Sequence, residues 1–165
     1  MKYIKTLIAT ILLMTGISVS AEPLRAGISI DEVPKAFYGS WRVVAKIDKQ
    51  TGNINFKPQA IDFWNLSRVG DVIKLDNPFT GASATVKVDY VEGDMIRFTK
   101  TGQYDGNKQL TDTVDLRLNG DTFTGVNYLN LETFSAVDGS TIVRKDTATY
   151  ILKGEKISGS SIVGK

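Results

Sequence analysis

The sequence predicts an all-β fold, most simply an eight-stranded antiparallel up-and-down barrel. Three observations lead there. Val, Ile, Thr, Phe and Tyr recur with a two-residue period while a helical period hardly appears. Gly, Asn and Asp punctuate these runs at short intervals. Each run also has an apolar face opposite a charged one, as in a sheet with one wet side.

The first strand is expected from about Ser40 to Asp48, with Trp41, Val43, Ala45 and Ile47 on one face and Arg42, Lys46 and Asp48 mostly on the other. Further strands are read at Ile61 to Leu66, Asp71 to Asp76, Ser83 to Val91, Met95 to Thr101, Leu110 to Leu118, Thr122 to Phe134 and Thr141 to Lys153. Val69-Gly70-Asp71, Glu92-Gly93-Asp94 and Asn119-Gly120-Asp121 supply hairpin turns, and Asn-Gly is the strongest signal for a type I′ turn. Longer loops of the same composition are expected at Lys49–Asn53, Tyr104–Lys108 and Val137–Ser140.

Closing such a meander into a barrel removes its unpaired edges; a two-layer β-sandwich is the alternative. A membrane barrel would need an apolar outer face. Here Lys87 and Asp89 oppose Val86, Val88 and Tyr90, and Asp115 and Arg117 oppose Val114, Leu116 and Leu118, so the apolar face is expected inside.

Residues 1–21 read as a cleaved signal peptide: Lys2 and Lys5 precede an apolar run from Ile8 to Met14, and Val19-Ser20-Ala21 suits a signal peptidase. The apolar run is too short to span a bilayer, which takes about 20 residues. The product is expected to be exported, periplasmic or secreted, without a membrane span. Residues 22–36 form an N-terminal arm, 37–153 the barrel and 154–165 a flexible Ser- and Gly-rich tail.

Removing the signal peptide, which carries Lys2 and Lys5 and no acid, leaves 18 basic against 18 acidic residues in 144. Such a balance, with both signs interspersed, argues against nucleic acid as a partner. With no cysteine the core must hold without disulfides. With no histidine either, the usual Ser-His-Asp and Cys-His pairs and His-ligated metal sites are excluded. No cofactor and no metal site is expected.

The segment Phe37-Tyr38-Gly39-Ser40-Trp41-Arg42-Val43-Val44-Ala45-Lys46 resembles the Gly-x-Trp signature that opens the first strand of lipocalins, fatty-acid-binding proteins and the wider calycin group. The resemblance covers about ten residues. It implies that Asp31–Lys35 forms a short helical turn closing one end of the barrel, with Trp41 just inside. For an arginine packed on Trp41, Arg144 in the last strand is nominated. Arg42, where lipocalins often carry an aromatic residue, and the missing disulfide depart from the pattern.

In such a barrel Trp41, Val43, Phe63, Val88, Tyr90, Phe98, Leu116, Leu129 and Tyr150 point inward and either fill the interior or line a pocket for a small apolar ligand such as a lipid. Ligand binding inside the barrel is the leading expectation. A noncatalytic envelope or secreted interaction module with a filled core is the alternative. Phe63 and Trp64 are adjacent and must face opposite ways. An exposed Trp64 would suit a sugar or a partner protein; burial under the arm or a second small core is expected instead. Catalysis is not expected. The acids in the most hydrophobic strands, Asp62 and Glu132, form the one carboxylate pair that would suit glycosidase chemistry. Asp105-Gly106-Asn107 begins like a calcium loop but lacks the closing Glu, and Asn65-Leu66-Ser67 is a sequon inside a strand.

Overall fold

The computed structural model describes residues 30–159 and 161–163. The expected signal peptide and the first part of the arm, residues 22–29, lie outside the described residues. Two 3-10 turns, Ile30–Glu32 and Lys35–Phe37, lead into the strands β1 Gly39–Thr51, β2 Gln59–Val69, β3 Val72–Asp76, β4 Ser83–Glu92, β5 Met95–Asp105, β6 Lys108–Asn119, β7 Thr122–Phe134, β8 Ile142–Ser158 and β9 Ser161–Val163. From β1 to β8 each strand pairs antiparallel with the next, and β1 also pairs with β8, so eight strands close into an up-and-down barrel. The predicted fold class is therefore correct, and the sandwich alternative falls. At this coarse level the fold fits a calycin-like barrel.

Of the residues expected to form a flexible tail, 154–158 and 161–163 lie in paired strands. β8 continues to Ser158, and β9 runs parallel to Ser67–Val69 of β2, just past the point where β1 begins opposite Leu66. To reach β2 the chain crosses the start of β1, where a side chain on Gly39 would meet the carbonyl oxygens of Ser158 and Gly159 at 2.7 Å. The glycine of the Gly-x-Trp segment thus leaves room for the returning C-terminus, and its φ of 125° is one few other residues adopt.

The hairpins also differ in type from the Asn-Gly reading. Val69 pairs with Val72, Glu92 with Met95 and Asn119 with Thr122, so Gly-Asp occupies the two central positions in each turn. Only the glycine has positive φ, near 60°, which is the type II′ pattern rather than type I′. Tyr104–Lys108 is equally tight, since Asp105 pairs with Lys108 across Gly106-Asn107.

Inward residues alternate as expected along β1, where Trp41, Val43 and Ala45 are buried. Both mouths are covered. At one, Val33, Phe37 and Tyr38 of the N-terminal turns join the core, and the Trp41 indole N–H donates to the Phe37 carbonyl at 3.0 Å. At the other, the 52–58 loop folds inward: Phe56 is buried, Ile54 packs against the core and Tyr150 donates to the Lys57 carbonyl at 2.9 Å. The Asp146 carboxylate holds that loop by accepting the Asn53 and Ile54 N–H groups.

Candidate functional site

Six of the nine predicted ligand-lining residues, Trp41, Val43, Phe98, Leu116, Leu129 and Tyr150, point inward and are buried. Val88 faces the same way and is partly covered. Two positions are corrected. Phe63 lies on the outer wall against the exposed Phe79, their ring centroids 4.7 Å apart, while Trp64 occupies the interior. Tyr90 also faces out, 40% exposed, because an irregularity between Val88 and Tyr90 shifts the phase of β4 and puts Val91 inside opposite Ile96.

The upper interior is a cluster of rings, tilted or edge-on to one another except for the stacked pair Trp64 and Phe123. Trp41 meets Phe123 at 5.1 Å, Trp64 lies against Phe123 at 5.9 Å and Phe98 at 6.2 Å, and Phe37 reaches Phe98 at 5.8 Å. The inward-facing Gly154 makes space for this, since a Cβ there would sit 2.1 Å from the Phe123 ring. The cation over Trp41 is Lys156, 4.9 Å from the ring centroid, which also donates to the Ala36 carbonyl at 2.6 Å. The nominated Arg144 pairs with Asp146 instead, at 2.8 Å.

Below the rings the interior turns polar, contrary to the expectation of a purely apolar centre. Lys100 of β5 faces in, and its Nζ is 3.0 Å from Asp112 Oδ2, with side-chain exposures of 11% and 2%. Asp112 also accepts from the Asn127 amide. Nearby, Asp62 accepts from the Phe63 N–H, the Trp64 indole N–H and the Asn77 amide. Burial pushes the Asp62 carboxyl above its ordinary range, against the lowering effects of these donors and of Lys100. Asp62 is thus inside the barrel. Glu132, bonded to Asn130 and Lys145, lies on the outward-facing side of β7, so the suggested carboxylate pair does not assemble. Among the described residues no group of three or more acids is placed to hold a metal ion.

A depression of about 440 Å³ opens on the outer wall where β6, β7 and β8 run side by side. Thr111 and Thr113 form one side, Thr147 and Thr149 the other, and Tyr128 and Asn130 stand between them. Of the nine predicted residues only Leu129 borders it. The threonines are tied laterally: Thr111 to Thr101, Thr113 to Thr99 and Thr147 to Thr51, at 2.7–3.2 Å. The sequence signal for this surface is the repeated Thr-x-Thr at 99–101, 111–113 and 147–149. That repeat is no more than a strand signal on its own, because threonine is an ordinary strand former.

Among solved structures, the chain is similar to the monomer form of the M. tuberculosis PknI sensor domain, at 14% identity over 82% of this chain and 92% of that one, with a TM-score of 0.39. At that score nothing about its role is carried across. No family model and no curated protein matches the chain. Among the described residues no helix is long and apolar enough to cross a membrane.

Proposed function

We propose that this chain is an exported, noncatalytic β-barrel module that acts through its outer wall rather than by carrying an apolar ligand inside. The observation that favours this reading is the interior itself. Six of the candidate lining residues pack as core beneath covers at both mouths, formed by Phe37 at one and Phe56 at the other. A site for an apolar molecule would need empty apolar volume, commonly ~300 Å³ or more. Instead the aromatic rings meet one another, and the polar groups below them pair largely among themselves. The noncatalytic reading is supported by the separation of Asp62 from Glu132 and by a sequence without His or Cys. Export rests on the basic, apolar and small-residue pattern of residues 1–21. An aqueous setting for the barrel is supported by charge pairs on its wall, such as Arg97 with Asp115 and Lys87 with Asp89.

The test is to purify the exported chain, record its native mass spectrum and analyse an organic extract. A mass equal to the polypeptide and an extract without a stoichiometric small molecule are expected. A reproducible co-purifying lipid at one per chain would return the function to the interior.

A further inference from the structure

We propose that the outer-wall depression formed by β6, β7 and β8 is a binding site for a neutral glycan; this rests on the outer-wall reading above. Adjacent strands lie about 4.8 Å apart and alternate residues about 6.7 Å along a strand. The six side chains therefore outline a patch of roughly 10 Å by 7 Å, comparable to one or two sugar rings. Thr111, Thr113, Thr147 and Thr149 bring four hydroxyls to its sides. Three of them are held by threonines on the neighbouring strand, which fixes each oxygen while leaving bonding capacity. Tyr128, 45% exposed, stands at the centre. Asn130 beside it is held in place by giving its amide N–H to Glu132 at 3.0 Å.

Charge selects among possible ligands. Among the described lining residues the one cation, Lys145, is 3.4 Å from Glu132, and Arg97, near enough to Tyr128 to interact with it, is paired with Asp115, so a polyanion gains little there. An apolar ligand would cover the threonine hydroxyls without satisfying them. An added peptide strand needs a free sheet edge, and β6, β7 and β8 each have partners on both sides. A molecule with many hydroxyls and one weakly apolar face satisfies both the oxygens and the exposed ring.

The experiment is a two-dimensional NMR titration of the ¹⁵N-labelled exported chain with cellotetraose, maltotetraose and N-acetylchitotetraose, and with stearate in parallel. At least one tetrasaccharide is expected to shift the amides of Thr111, Thr113, Tyr128, Asn130, Thr147 and Thr149 saturably, with a Kd of about 1 mM or tighter. Tyr128→Ala should weaken that binding about tenfold while the remaining spectrum stays folded, and Tyr128→Phe should keep most of it. Absence of saturable shifts with all three sugars, shifts confined to another surface, or wild-type binding by Tyr128→Ala would each overturn the glycan site. Stearate acting on Trp41, Phe98 and Leu116 amides would instead overturn the outer-wall reading beneath it.

Discussion

Around Trp41, Trp64 and Phe123 the barrel interior is held by ring contacts, whereas around Asp62, Lys100, Asp112 and Asn127 the same barrel encloses charge that must be matched bond by bond. The aromatic half gains from area, at about 25 cal/mol per Å² of apolar surface, plus about 0.5–1.5 kcal/mol for each well-oriented ring pair. The polar half is stabilised only relative to its own broken states, because desolvating Lys100 and Asp112 offsets most of their attraction. The contrast teaches that one closed sheet can tolerate buried charge where neighbouring strands supply the partners.

The largest expected effect is in the aromatic half. Trp64→Ala should destabilise the fold by about 3–5 kcal/mol in denaturant unfolding, because it removes the ring against Phe98 and Phe123 and also a donor to Asp62. A smaller loss, under about 1 kcal/mol, would mean that the rings do not carry that half.

Lys100→Met should cost about 3 kcal/mol, since it leaves Asp112 buried beside Asn127 without its cation. Adding Asp112→Leu should recover part of the loss, because it removes the unpaired buried charge while leaving the buried Asn127 amide without that acceptor. If the double variant is as unstable as the single one, the ion pair is not the source of the cost.

The third effect concerns pH. The Asp62 carboxyl is raised from 3.8 chiefly by burial, so its ionised form is disfavoured in the folded state relative to the unfolded one. Its contribution to stability is least favourable above its folded pKa and improves as pH falls through that value toward 3.8. Asp62→Asn should therefore gain on the wild type as pH rises across this window, as measured by unfolding at a series of pH values. An unchanged difference across the series would show that Asp62 ionises freely.

The smallest effect is local. In the β7–β8 loop, Asp138 accepts from the Thr141 hydroxyl and from the Thr141 and Ser140 N–H groups. These bonds, the Thr141 hydroxyl first, lower its pKa to about 2. Their contribution is present above 3.8 and is lost as pH falls through about 2. Carboxyl NMR titration should read about 2, and Thr141→Ala should move it toward the ordinary value.

Much of the barrel was legible because alternation and Gly-Asp turns are local properties. The seventh strand was read with its observed limits, Thr122 to Phe134. The errors fall where a long-range partner decides a local choice. In Ile61–Leu66 the phase with Ile61 and Phe63 inside competes with the phase with Trp64 and Leu66 inside, and the second places Asp62 in the core. Alternation favours the first; the Asn77 amide and Trp64 indole, which satisfy the buried carboxylate, make the second possible. Tyr90 faces outward because a bulge changes phase without a sequence mark, and an inward Lys100 has no local signal because charged strand positions ordinarily face water. The outer-wall depression was missed for a different reason. Its Thr-x-Thr repeats are visible in the sequence, but their alignment across strands depends on register.

The chain's two tryptophans, Trp41 and Trp64, both lie in the interior with no exposed surface, so their fluorescence reports on that space alone. Titrating the exported chain with dibromostearate, a fatty acid that quenches tryptophan on contact, asks whether the barrel admits an apolar molecule. Emission unchanged from that of the folded chain is the predicted result. Saturable quenching at about one molecule per chain, with the fold intact, would contradict a filled barrel that works from its outer wall.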